Sequence, residues 1–191
     1  MSYIGMYDDA GSKNTFYVVK DKKIDRKRIG FKAFETLTEA KFAYKIQKIL
    51  ANRNLAPYVY GVVGRIRVPT TVWTGNVENG NYIYKEEMVL TNWGYLTEIA
   101  RTMPECYSCD GECFDEDCKN SKIIRDVVSC LDWEGLSYSD GHRGNFGYVR
   151  RNKRWIPIVI DVGIESFDDW DSDVYGHFDH DACEMEQEIY G

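Results

Sequence analysis

Asp140-Gly-His142-Arg-Gly-Asn145 sets an acid and an amide five positions apart, in a stretch whose Asp, Gly and Asn content reads as a loop. Shortly afterwards Ile158-Val-Ile-Asp161-Val-Gly163 ends a strongly apolar strand on another acid. Phosphoryl transfer needs this set of groups. One carboxylate, Asp140, meets the attacking hydroxyl, while the amide oxygen of Asn145 and the carboxylate of Asp161 hold magnesium on nucleotide phosphates. Each short pattern also arises by chance; order, short separation and the strand before Asp161 give the combination its specificity. Asp140 and Asn145 also suit a tight turn, which their residue types favour. Asp161 is harder to explain that way. A carboxylate directly after Ile-Val-Ile is expected to be partly buried, and then needs a partner or a metal.

The elements that must position these groups are legible in outline. Residues 2–7 and 14–20 alternate as strands, with residues 8–14 as a turn. Residues 29–34 form the next strand, Ile29, Phe31 and Ala33 on one face and Lys32 and Phe34 on the other. Thr36-x-x-Glu39 has capping-box spacing and opens a helix of about 15 residues, with Ala40, Ala43, Ile46, Ile49 and Leu50 as its buried stripe. Pro57 bars continuation. Residues 58–60, 62–63, 66–68 and 82–90 read as strands, with a turn over 76–81. Residues 96–102 and 123–131 read as short helices, and residues 147–149 and 155–160 as a hairpin.

In this order, the residues resemble the protein-kinase-like superfamily, and most closely its aminoglycoside and choline phosphotransferases. That branch carries Asp-x-His-x-x-Asn, which Asp140, His142 and Asn145 match position by position, and Ile-Asp161-Val-Gly163 resembles its metal-binding Asp motif. Ile29-Gly-Phe-Lys32 resembles the strand whose Lys touches the nucleotide phosphates. Tyr84-Lys-Glu-Glu87-Met-Val89 resembles the hinge strand beside the adenine. The resemblance spans residues 3–165 and implies an α+β, minimal bilobal fold. Its first lobe is an antiparallel sheet with one helix over residues 1–90. Residues 91–165 form a reduced helical lobe with a catalytic hairpin, and residues 166–191 an acidic segment. It implies ATP and magnesium as cofactors and a protein or small-molecule hydroxyl as acceptor. Asp140 would take or orient the acceptor's proton, Asn145 and Asp161 would ligate magnesium, and Lys32 would neutralise phosphates. Gly11 and Ser12 would close over those phosphates through backbone N–H groups, and Glu87 would border the base. His142 is expected to cap or pack within its loop.

The chain departs from the family in three places. The site that should hold the Glu partner of Lys32 falls on Gln47 or Tyr44. Tyr138-Ser139 replaces the usual His or Arg before the catalytic Asp. Only 28 residues follow Gly163. These departures leave a pseudokinase, or an interaction module of the kind a phage encodes, as the alternative.

Cys106-x-x-Cys109-x-x-x-Cys113-x-x-x-x-Cys118 places four thiols in thirteen residues. Four thiolates suit tetrahedral zinc in a loop too small to bury a core; free thiols or disulfides are the alternatives. Cys130 is expected to pack within its helix, and His177 and His180 to lie on the surface. Residues 155–191 hold eleven of the 31 acids and no Lys or Arg, so all 24 basic residues face 20 acids before them. Lys20, Lys22, Lys23, Arg26, Lys27 and Arg28 crowd one segment. That asymmetry reads as a basic hairpin tip and a solvated acidic tail, or as a tail that contacts the tip or mimics nucleic acid toward a partner. No apolar run approaches membrane-spanning length, and the first residues lack the pattern of a secretory signal. The expectation is a cytoplasmic protein with no membrane or direct nucleic-acid contact.

Overall fold

The computed structural model describes residues 3–7, 15–24, 26–104, 106 and 118–167. The fold is α+β. In chain order its elements are β1 (Tyr3–Tyr7), β2 (Thr15–Ile24), β3 (Lys27–Phe34), α1 (Leu37–Asn52), β4 (Val59–Gly64), β5 (Arg67–Glu78), β6 (Asn81–Leu90), β7 (Trp93–Glu98), β8 (Arg101–Thr102), α2 (Lys119–Trp133), β9 (Phe146–Arg151) and β10 (Arg154–Val159). All described strand pairings are antiparallel. The chain divides into two compact units, residues 1–44 with 58–99, and residues 45–57 with 100–191. The division anticipated near residue 90 thus falls after Ile99, and the second half of α1 belongs with the second unit.

The first unit holds a five-stranded sheet in the order β1-β2-β3-β7-β4. β3 lies at its centre, and every residue from Ile29 to Phe34 is buried. The expected two faces of this strand are therefore both covered. Aromatic rings fill the space around it: Phe34 stacks on Tyr95 with centroids 5.7 Å apart, and Tyr44 meets Tyr95 edge-on at 5.5 Å. α1 starts where its capping box sets it. Thr36 N donates to Glu39 Oε2 at 2.9 Å, and Glu39 N donates to Thr36 Oγ1 at 3.1 Å. Two amides that the first helical turn leaves unpaired are so satisfied. Thr36→Val is expected to cost about 1 kcal/mol, read as a lower urea midpoint with an unchanged slope. Ala40 and Ala43 of the expected stripe are buried, and so is Phe42, which the periodic pattern omits.

Residues 96–102, expected as helix, are instead β7 and the short β8. β7 is paired on both sides: Leu96 lies opposite Phe31 of β3 and Tyr60 of β4. A six-residue apolar pattern does not distinguish helix from strand, and two ladders of backbone hydrogen bonds decide it. β5 and β6 form a separate two-stranded ribbon. Its turn is Asn79-Gly80, both at positive φ (50° and 80°), the two-residue geometry that matches strand twist.

In the second unit β10, β9 and β8 form a three-stranded sheet. The β9–β10 turn places Asn152 and Lys153 at positive φ. α2 runs from Lys119, four residues earlier than the periodicity indicates, and packs on β10. Its inward face is Asn120, Ile124, Val127 and Leu131. Cys130, expected to be packed, is exposed, because it stands one residue, about 100° of helix, from Leu131. Gly135 ends the helix at φ 77°, with its N–H on Asp132 O (2.9 Å) and Leu136 N–H on Leu131 O (3.0 Å).

Candidate active site

The second unit brings Asp140, Asn145 and Asp161 to one place through backbone pairing. After β10 the chain donates from Ile160 N to Asn145 O at 2.8 Å, which ties the Asp161 strand end to the loop of residues 140–145. Residues Arg143–Asn145 form a single 3-10 turn. Asn145 is buried and its Nδ2 donates twice, to Asp140 O at 3.0 Å and to Asp140 Oδ2 at 2.7 Å. Two acceptors facing one amide group fix its orientation, so the amide oxygen is turned away from Asp140. Asp140 itself is 41 % exposed, open to a hydroxyl from solvent.

His142 takes the capping role expected of it. Its Nδ1 accepts from Gly144 N at 3.0 Å. That nitrogen is thus the acceptor of the neutral ring, so the proton sits on Nε2, which stands 3.4 Å from Asp140 Oδ1. Asp140 therefore carries a close hydrogen bond from Asn145 on one oxygen and a longer contact from His142 on the other.

Asp161 is half-buried, as a carboxylate after Ile-Val-Ile should be, and its Oδ1 accepts from Gly163 N at 3.2 Å. Its carbonyl oxygen accepts from the Tyr138 hydroxyl at 2.9 Å. Tyr138 is buried between Phe146 and Phe167, with edge-on centroid distances of 5.6 and 5.3 Å. Burial holds its hydroxyl well above the usual phenol range. The charge of Asp161 adds to this and that of Asp140 adds less, while Ser166 and Asn145 oppose it. Ser166 Oγ is fully buried and close enough to weigh on this phenol, but it makes no hydrogen bond of good geometry. That Tyr138 packs between Phe146 and Phe167 and donates to Asp161 O was not legible in the sequence, where Tyr138 stood only as a departure.

A pH dependence follows. The unfolded chain ionises Tyr138 near pH 10, whereas the folded chain does not. This contribution is complete below pH 10 and is lost as pH rises above it, by about 1.4 kcal/mol per pH unit. Tyr138→Phe is expected to flatten the alkaline fall in stability, while costing about 1 kcal/mol at neutral pH for the lost hydrogen bond. Urea titrations at pH 8 and pH 11 on both proteins measure it.

Of the remaining expected residues, Lys32, Tyr44 and Glu87 belong to the first unit. Lys32 is on β3 in the first unit, 9 % exposed, opposite Phe16 and Tyr95, with Nζ 5.3 Å above the Phe34 ring. Glu87 lies on the β5–β6 ribbon opposite Thr70, where it pairs with Lys85 at 2.6 Å. It is not on the five-stranded sheet. The strand beside β3 is β7, which ends at Glu98. Glu98 is the acid that sequence reading missed. It is buried, pairs with Lys27 Nζ at 3.3 Å and accepts from Tyr58 N at 3.3 Å. Of the two sites for a Glu partner to Lys32, Gln47 is buried and donates to Pro57 O at 3.0 Å, and Tyr44 donates to Gly61 O at 2.7 Å. Gly11 and Ser12 lie outside the described residues.

The donor set fits magnesium in kind: a half-buried carboxylate and an amide oxygen turned from its neighbour are hard oxygen ligands. Cys106 and Cys118 lie with their sulfurs 3.4 Å apart. That is far beyond a disulfide bond and near the separation of about 3.8 Å between two thiolates on tetrahedral zinc. Cys109 and Cys113 lie outside the described residues. Among the described residues no three His, Cys, Asp or Glu side chains converge, and no helix is long and apolar enough to cross a membrane. Comparison with protein-family models, with curated proteins and with solved structures gives no match.

Proposed function

We propose that this chain is an ATP- and magnesium-dependent phosphotransferase of minimal protein-kinase-like fold, acting on a protein or small-molecule hydroxyl. The observation that carries the reading is the double hydrogen bond from Asn145 Nδ2 to Asp140, in a turn tied by backbone to the strand end bearing Asp161. An antiparallel sheet with a buried Lys32 at its centre and one following helix also supports it. Asp140 accepts the hydrogen bond of the incoming hydroxyl and takes its proton as the phosphoryl group transfers. Asn145 keeps Asp140 aimed, and its amide oxygen with the Asp161 carboxylate would hold the metal. Lys32 would offset phosphate charge. Magnesium, when bound, neutralises charge developing on the transferred group.

A second reading, a pseudokinase that binds without turnover, is favoured by Gln47. An amide donating to Pro57 O stands where the family carries an acid. Calorimetry with ATP and magnesium tests both. Binding that requires magnesium and is followed by phosphate release or transfer supports the enzyme. Magnesium-dependent binding without turnover over hours favours the second reading. No binding at millimolar ATP by the folded protein ends both.

A further inference from the structure

The β5–β6 ribbon carries large side chains that the fold does not cover. Trp73, Tyr82, Tyr84, Met88 and Leu90 are between 45 and 64 % exposed. Register shows why they belong together. Tyr84 lies opposite Trp73 and Met88 opposite Pro69, so these side chains share one face of the ribbon with Tyr82 and Leu90. A single-sided aromatic and aliphatic surface of this kind marks an interaction site.

The backbone indicates which edge is available. Thr91 N donates to Ile66 O, and the ladder alternates from there. The N–H and C=O groups of Tyr84, Glu86, Met88 and Leu90 therefore point away from β5, and among the described residues no other strand pairs with β6. The outer edge of β5 is blunted by Pro69, which has no N–H, and by the irregularity between Trp73 and Val77. The ten-residue edge of β6 contains neither device.

β6 is also chemically palindromic about Glu86. An antiparallel copy centred there sets Lys85 against Glu87, Tyr84 against Met88, Ile83 against Val89 and Tyr82 against Leu90. Shifting the centre to Lys85 sets Lys85 on itself and Ile83 on Glu87. Shifting it to Glu87 sets Glu87 on itself and Glu86 on Met88. In the register about Glu86 every apolar residue meets an apolar one and both lysines meet glutamates; only Glu86 faces its like. We propose that β6 pairs with β6 of a second copy of this chain about a two-fold axis at Glu86. The product is a four-stranded sheet, β5-β6-β6-β5, in which the aromatic and aliphatic side chains of the two copies adjoin on one face around the paired Glu86 residues.

Sedimentation velocity across a concentration series tests this, with three variants. Wild type is expected to be a monomer–dimer equilibrium. Met88→Pro removes an outward N–H without touching the β5 ladder. It is expected to be monomeric, with the melting temperature that wild type shows at concentrations where it too is monomeric. Lys85→Glu is expected to weaken the dimer by about tenfold to a hundredfold, since the pair occurs twice, and Lys85→Glu with Glu87→Lys to restore it. Glu86→Thr is expected to tighten it. A monomeric wild type at all concentrations, a dimer indifferent to Met88→Pro, or a double reversal that fails to rescue overturns the proposal. Open-ended association does so too, because a two-fold edge pairing closes.

Discussion

Asp161→Asn is expected to abolish magnesium-dependent ATP binding while the fold stays intact. The substitution keeps the shape of the side chain and an oxygen to accept from Gly163 N. The bond from Tyr138 goes to the backbone carbonyl of residue 161 and survives unchanged. What disappears is one negative charge at the strand end. Loss of a charged metal ligand costs two orders of magnitude or more, so affinity for the magnesium complex should fall by at least about a hundredfold. Circular dichroism and a thermal melt supply a second readout independent of nucleotide: a variant that loses ATP binding with the wild-type spectrum and melting temperature has lost the charge alone, and one that unfolds has not. Unchanged magnesium-dependent binding would remove Asp161 from the site.

Gly94→Ala is expected to be the most destabilising single methyl in the first unit. A Cβ there would lie 2.0 Å from the carbonyl oxygen of Lys32 and 2.8 Å from its carbon, with a Phe31 ring atom also at 2.8 Å. Neither backbone atom can swing aside, so β3 and β7 must separate at the centre of the sheet. The cost should exceed about 3 kcal/mol, or roughly 6–12 °C in melting temperature for a chain of this size. Gly64, the cross-strand partner of Gly94 on β4, is the control. Nothing lies within 4 Å of a Cβ built there, so Gly64→Ala should stay within about 0.5 kcal/mol of wild type. Thermal melts of the two variants side by side separate a steric effect from a general intolerance of alanine. Because the clash displaces the backbone of Lys32, Gly94→Ala should also weaken nucleotide binding under the proposed function.

The parts of the site legible in the sequence are those whose logic is local. Asp140, His142 and Asn145 interact within six residues, so a turn there, with His142 capping within it, follows from residue types and spacing alone. The capping box of α1 is equally local and appears where Thr36 and Glu39 place it. What escaped depends on distant pairing. Tyr138 acts on Asp161, 23 positions away, through a fold-back in which Tyr138 pairs with Phe167. β7 is a strand because β3 and β4 flank it, not because residues 96–98 prefer that state. The apolar and charged run of β6 reads as well for a covered sheet strand as for an exposed ribbon, so the sequence does not say that Glu87 stands on a separate two-stranded ribbon.

Gln47 carries a different kind of consequence. Its amide nitrogen is committed to Pro57 O. A single change to Glu would bring a carboxylate against that carbonyl, acceptor facing acceptor in a buried position. A glutamate at position 47 is therefore not reached at no cost by one substitution. The amide at position 47 is thus tied to the backbone around Pro57, and Gln47→Glu is tolerated only if that backbone shifts its carbonyl away.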